Sequence, residues 1–354
     1  MIKPYVTLAE RILTSNARRL GFPYKLTYAL TYRCNYRCRT CNIWKRPPSP
    51  ELSLEEIRRF FRKSPGFSWI DLTGGEIFLR KDFVEVVEAI LEYSPRLLLL
   101  HFPTNGYLTD TIVRSVERIR TWKPEKLIIT VSMDGDEAVN DEIRGIRGGW
   151  RRQMETFRQL RSIPGVEAVL GMTLSAWNAG GIERTFEAAR AAYDRLRYED
   201  LHVNVAQVSG HYYGNEGEDP HQGRASDLIG EIERHIRRRG APRGPVAFLE
   251  REYLKRVPDY LRTHRTPVRC QALRASCFMG PNGDIYPCSM YDRVIGNVAE
   301  NGGDLRRIWD SEPCRRLQRE IWDCRCPHCW TPCEAYQSVL GSLFLRRRGC
   351  GSGR

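Results

Sequence analysis

Cysteine placement constrains this chain more than any other feature. Of twelve cysteines in 354 residues, three stand together at Cys34, Cys38 and Cys41, and nine lie between Cys270 and Cys350. A chain of this length buries about three quarters of its unfolded surface, so its core needs no disulfide scaffold. The first residues lack a charged-then-apolar stretch ending in small residues, so no secretion is expected and the expected compartment is the cytoplasm. Cysteines kept reduced there are metal ligands or ordinary thiols. The spacing Cys34-x3-Cys38-x2-Cys41 in a tight loop can hold three irons of a 4Fe–4S cubane. The fourth iron is then open to a bound molecule. Zinc loops usually take four ligands at CxxC spacing, and no His or Cys follows nearby to complete one.

The cysteine-free middle alternates short β-rich runs with helical spacing about six times, which predicts parallel βα units. Strands are expected at Lys25–Tyr32, Trp69–Leu72, Leu97–Phe102, Lys126–Met133, Glu167–Ser175 and Leu201–Val208. Helices are expected at Ser53–Lys63, Lys81–Tyr93, Asp110–Thr121, Gly149–Arg161 and Ile182–Arg195. Ser53 followed three residues on by Glu56 reads as a capping box. Six units make a partial TIM-like barrel, too few for a closed eight-fold one. An apolar stripe over Thr7–Leu20 predicts a helix packed on that barrel, His211–Gly223 reads as a loop and Ser226–Arg239 as a basic helix. The longest apolar stretch, Leu97–Phe102, is strand-sized, so no transmembrane segment is expected. The formal charge of +13 comes from eight Lys and 48 Arg spread without a dense patch. That pattern does not point to a nucleic-acid partner.

Cys34–Cys41 directly after the first strand, with Thr73-Gly74-Gly75-Glu76 after the second, resembles the radical S-adenosylmethionine (SAM) superfamily. The resemblance spans about residues 24–210. It implies an enzyme in which one electron from the cluster cleaves SAM to methionine and a 5′-deoxyadenosyl radical, which takes a substrate hydrogen. It implies that Gly74, Gly75 and Glu76 hold the methionine ammonium, that Asn105 lies near SAM, and that Ser132 meets the ribose. Arg144 is implied as the partner of the SAM carboxylate, where a planar fork suits it. The residue before the third cysteine, usually aromatic in the family, is Thr40 here, which leaves Tyr36 as the expected adenine neighbour.

The second group, with Gly283-x4-Cys288 and Cys324-x-Cys326-x2-Cys329-x3-Cys333, is similar to the SPASM extension of that superfamily. The resemblance implies one or two auxiliary 4Fe–4S clusters. Cys270, Cys277, Cys288 and Cys333 are expected to ligate the first, and Cys324, Cys326, Cys329 and Cys350 the second, with Cys314 a spare thiol. The expected organisation is an N-terminal helix (1–23), the barrel (24–225), a helical connection (226–265) and a small cysteine-rich cluster domain (266–354). SPASM enzymes mostly modify peptides or proteins, and others act on lipids, sugars or nucleosides. Only about 24 residues precede the first strand, which weighs against a built-in leader-peptide-binding segment. Ser289 stands where dehydrogenating members carry an Asp base, so Asp292 is the nearest candidate. His211 and Tyr212, with Tyr213, follow the sixth strand at the barrel mouth and are candidates for substrate contact or proton transfer. A reductant such as flavodoxin or ferredoxin is the implied protein partner. The competing reading is a non-catalytic iron–sulfur or zinc protein serving electron transfer or nucleic-acid binding.

Overall fold

The computed structural model describes residues 2–343 and 349–350. Six parallel strands run in chain order: β1 (Lys25–Thr31), β2 (Trp69–Gly74), β3 (Leu99–Thr104), β4 (Lys126–Ser132), β5 (Val166–Leu174) and β6 (Leu201–Val205). Each is joined to the next by a crossover carrying helix, so the order β6-β5-β4-β3-β2-β1 forms the expected open barrel. Strand ends differ by a few residues from the sequence reading. β2 continues to Gly74, and β6 stops at Val205.

The cluster region does not sit apart from this sheet. β7 (Ser276–Met279) pairs in parallel with the free edge of β1, Lys25 opposite Ser276. β8 (Asp284–Tyr286) and β9 (Gly296–Asn297) follow antiparallel, giving one nine-stranded sheet among the described residues. An open β1 edge would offer unpaired backbone groups, and β7 satisfies them.

Helix Leu54–Lys63 begins at the expected capping box, Ser53 accepting from the Glu56 amide while Glu56 reaches back to Ser53. Its apolar face, with Ile57, Phe60 and Phe61 fully buried, closes on Phe67 and Phe22. Helix Glu137–Arg144 was not expected; it is started by the Asp136 side chain accepting from Val139 and ended at the left-handed Gly145. The N-terminal helix spans Ile2–Ala17, earlier than Thr7–Leu20. Leu8 and Ile12 pack beside Trp69 and Tyr24. Two short helices, Pro245–Leu254 and Val257–Thr263, fill the connection. No described helix is long and apolar enough to cross a membrane.

The barrel interior carries a charged layer. Lys25 on β1 pairs with Asp71 on β2 at 2.9 Å, and Asp71 meets His101 on β3 at 3.1 Å. His101 reaches Thr130 on β4 at 3.0 Å, and the Trp69 indole donates to Asp71 at 2.7 Å. Burial would raise the Asp71 pKa, but Lys25 and His101 overcome it and hold the carboxyl well below its usual range. Lys25 also donates to the Cys333 carbonyl and, at 3.1 Å, to Gln337 of helix Pro332–Leu340. The ion pair therefore ties the barrel to the C-terminal region.

Candidate active site at the barrel mouth

The Cys34–Cys41 loop leaves the C-terminal end of β1 and is pinned from two sides. The Arg37 and Arg39 amides donate to the last carbonyls of helix Glu137–Arg144, Arg144 (3.2 Å) and Ile143 (2.8 Å). On the other side the Asn42 amide donates to Tyr213 (2.7 Å), and Asn215 donates to the Thr40 carbonyl (3.1 Å). Burial pushes the Cys34 thiol up to about 11 and Cys41 up to about 12, and raises Cys38 as well. Such thiols ionise at neutral pH when a cation such as iron offsets the burial.

The Gly74–Glu76 turn lies directly against this loop. Gly75 donates to the Thr31 carbonyl and Glu76 to the Arg33 carbonyl, both at 2.8 Å. A Cβ on Gly74, at φ 129°, would stand 2.1 Å from the Thr31 oxygen, and one on Gly75 would stand 2.1 Å from the Arg33 oxygen. Only glycine allows that approach.

The Glu76 carboxylate, expected on the SAM ammonium, is turned inward. It is 1% exposed and accepts from Thr104 Oγ1 at 3.0 Å and the Asn105 amide at 2.7 Å. Burial raises it to about 7 against those hydrogen bonds. Asn105 itself donates to Asn35 of the cysteine loop at 2.7 Å, so Glu76 and Asn105 brace the loop from below. Ser132 ends β4 half-buried, opposite Gly171 of β5.

Arg144 is buried and donates to Asp134 at 2.6 Å, with its guanidinium 5.4 Å from the Tyr36 ring. Its Nε is buried without a hydrogen-bond partner, beside Cys38. An orphaned guanidinium N–H there fits an anionic acceptor, as the SAM carboxylate would be. Asp134 was missed in the sequence, although it lies in the same Ser132-Met133-Asp134-Gly135 run that singled out Ser132. Tyr36, expected beside adenine, is 1% exposed and packs edge-on against Tyr107.

The Tyr212 hydroxyl bonds Thr73 Oγ1 at 2.6 Å and accepts from the Gly74 amide at 3.3 Å, which makes it a brace for the glycine turn. His211 and Asp292 line one cavity of about 390 Å³ with Tyr32, Arg46 and Tyr286. The His211 imidazole is 7% exposed, and burial lowers it to about 4 despite Asp292. Gln207 anchors the C-terminal cysteine segment, its Oε1 accepting from the Trp330 amide at 3.2 Å.

Among the C-terminal thiols, Cys270, Cys288 and Cys329 lie within electrostatic reach of one another and of Glu334, and Cys326 reaches Cys270 and Cys329. Cys277 is beside Cys314 and Cys333 beside Lys25. Cys324 and Cys350 differ from expectation: they are joined in a disulfide with Cα atoms 5.5 Å apart. The left-handed backbone at Cys324 (φ 64°) turns the chain after helix Glu312–Trp322, and the Cys350 amide is held by the Thr266 carbonyl. Among the described residues no three His, Cys, Asp or Glu side chains close on one point as around a single ion.

Comparison with known proteins follows the same division. A profile described as Radical SAM superfamily matches residues 28–195, and SPASM, an iron–sulfur cluster-binding domain, matches residues 270–330. Mycofactocin maturase MftC of Mycobacterium ulcerans is 26% identical over 272 residues, covering 71% of this chain and 64% of its own. Sporulation killing factor maturation protein SkfB of Bacillus subtilis is 23% identical over 284 residues, 79% of this chain and 63% of its own. The chain thus spans less than two thirds of either relative. In fold it is similar to Streptococcus suis SuiB bound to S-adenosylmethionine, with TM-score 0.60, 18% identity, and coverage of 88% of this chain and 70% of that one.

Proposed function

This chain belongs to the radical SAM superfamily and carries a SPASM iron–sulfur cluster-binding domain, and from that premise we propose that it is a peptide-modifying enzyme that cleaves SAM reductively. The observation that carries the reading is the juxtaposition at the barrel mouth. The three-cysteine loop, the glycine cradle and the orphaned Arg144 Nε occupy one neighbourhood, tied by backbone hydrogen bonds. An electron carrier has no use for the last two.

Cys34, Cys38 and Cys41 would hold a 4Fe–4S cluster. Gly74, Gly75, Asn105, Ser132 and Arg144 would hold SAM, with Glu76 positioning Asn105. Bound there, the cluster and SAM supply one-electron reductive cleavage of SAM and removal of a substrate hydrogen atom. The chain's own residues bind and orient. Arg144 offers its free Nε–H to an anion while Asp134 fixes its other end. Tyr212 holds Thr73 and Gly74 in place. The C-terminal thiols of Cys270, Cys277, Cys288, Cys326, Cys329 and Cys333 remain available for auxiliary iron. Such iron would accept the second electron of a two-electron substrate oxidation or anchor the substrate.

A peptide substrate is supported by the relatives. Two are named as maturation proteins, and SuiB is also known bound to its precursor peptide SuiA. A cytoplasmic setting with a flavodoxin or ferredoxin reductant completes the proposal. The test is anaerobic reconstitution with iron and sulfide, reduction by dithionite and addition of SAM. The chain should release 5′-deoxyadenosine, and Cys34→Ala should release none while keeping its C-terminal iron. Bound iron without any 5′-deoxyadenosine would reject the enzyme reading.

A further inference from the structure

The cavity of about 390 Å³ lies where the barrel mouth meets β7–β9, outside the SAM cradle. Its walls come from Tyr32 after β1, Arg46 after the cysteine loop, His211 after β6, and Tyr286 and Asp292. Two of these present buried polar atoms with no partner in the chain, Arg46 Nε and His211 Nε2. Both are held firmly. Arg46 has extended backbone ahead of Pro47, lies 4.5 Å over the Tyr32 ring and donates from Nη2 to the Gly210 carbonyl at 2.7 Å. Those contacts are neutral, so its charge is unmatched within them. The His211 ring stacks on Tyr286 at 4.7 Å and 27°.

The hydrogen-bond sense at His211 follows from Ser209. Its single hydroxyl proton goes to the Ser289 carbonyl at 2.7 Å, so toward His211 Nδ1, 3.4 Å away, Ser209 Oγ is an acceptor. Nδ1 then carries the proton, and Nε2 of the neutral ring is an acceptor. The cavity therefore offers one cationic donor and one neutral acceptor, with the Asp292 carboxylate at the rim. A phosphate dianion would meet only one cation and face that rim carboxylate, which favours a monoanion. A group bearing a carboxylate and a nearby N–H answers both orphaned atoms.

We propose that this cavity is a subsite for the C-terminal residue of a peptide, its carboxylate taken by Arg46 and its amide N–H by His211, with the side chain between Tyr32 and Tyr286. The proposal rests on the peptide-modifying reading, but its test needs no SAM cleavage. The probes are N-acetylphenylalanine, its amide, which loses the charge, and 3-phenylpropionate, which loses the N–H. Calorimetry on the reconstituted wild-type chain should show the acid binding at least about tenfold more tightly than either analogue, the size of one charge-assisted hydrogen bond. Arg46→Met should erase the difference between acid and amide. His211→Phe keeps the stacking and should erase only the difference between acid and phenylpropionate. Thermal melts of both variants report whether they fold, and the discrimination measured on wild type stands without them. Equal binding of all three probes to wild type, no binding at all, or discrimination that survives Arg46→Met would overturn the proposal. 5′-Deoxyadenosine release, measured separately, reports on the enzyme reading alone.

Discussion

Gly75 carries the sharpest steric demand at the site. A methyl group there would overlap the Arg33 carbonyl at 2.1 Å and push the turn off the cysteine loop. Gly75→Ala should therefore reduce 5′-deoxyadenosine release by at least about a hundredfold, since displacing a reacting centre by about 1 Å costs that much. Release within a fewfold of wild type would show that the cradle is not where SAM sits. Arg144→Lys keeps the charge and loses the fork. SAM affinity in equilibrium dialysis should fall about tenfold, one charge-assisted contact, while iron content stays level. At this scale the sequence was a partial guide. The cysteines, the glycines and Arg144 could be singled out because their chemistry depends on residue type and spacing, and the fold brings their segments together at one end of the barrel. The hydrogen bonds of the Glu76 carboxylate and the Tyr212 hydroxyl were not readable, because their partners, Thr104 and Thr73, come from other strands. Arg46 was overlooked entirely, its only local signal being a basic pair ahead of Pro47-Pro48.

The charged layer across β1, β2 and β3 is the least expected element. Lys25 and Asp71 are buried ion-pair partners on neighbouring strands, and removing one partner of such a pair typically costs about 3–5 kcal/mol. Lys25→Met should lower unfolding stability by about that amount in urea titration, and Lys25→Met with Asp71→Leu should recover much of it. The Asp71 pKa is depressed in the fold, so its contribution is full above the unfolded value of about 4 and is lost as pH falls toward the lower folded one. The wild type should thus lose stability below about pH 4 more steeply than the double variant does. The six βα units were readable because parallel strands and amphipathic helices write local periods into the chain. Helix Glu137–Arg144 was not, since its short run sits inside a stretch read for its SAM motif. Yet its C-terminal carbonyls anchor the cysteine loop.

Across the whole molecule, the pairing of β7 with β1 makes the barrel and the cluster region one sheet. No local pattern could announce that contact between segments so far apart in the chain, so the sequence suggested a barrel and an appended domain. A chain ending at residue 265 would expose the β1 edge and strip Lys25 of Gln337. It should be found in the insoluble fraction, and a soluble, cooperatively melting product would contradict the single-sheet account. Joining the two regions also brings His211, Tyr286 and Arg46 round one cavity. The central claim is that Cys34, Cys38 and Cys41 hold a cluster with one iron open to SAM. Electron paramagnetic resonance of the reconstituted, dithionite-reduced chain, recorded before and after SAM is added, tests it directly. The account predicts a SAM-dependent change in the cluster signal that is absent when all three cysteines are Ala. An unchanged wild-type spectrum, or a change that persists in the triple variant, would contradict it.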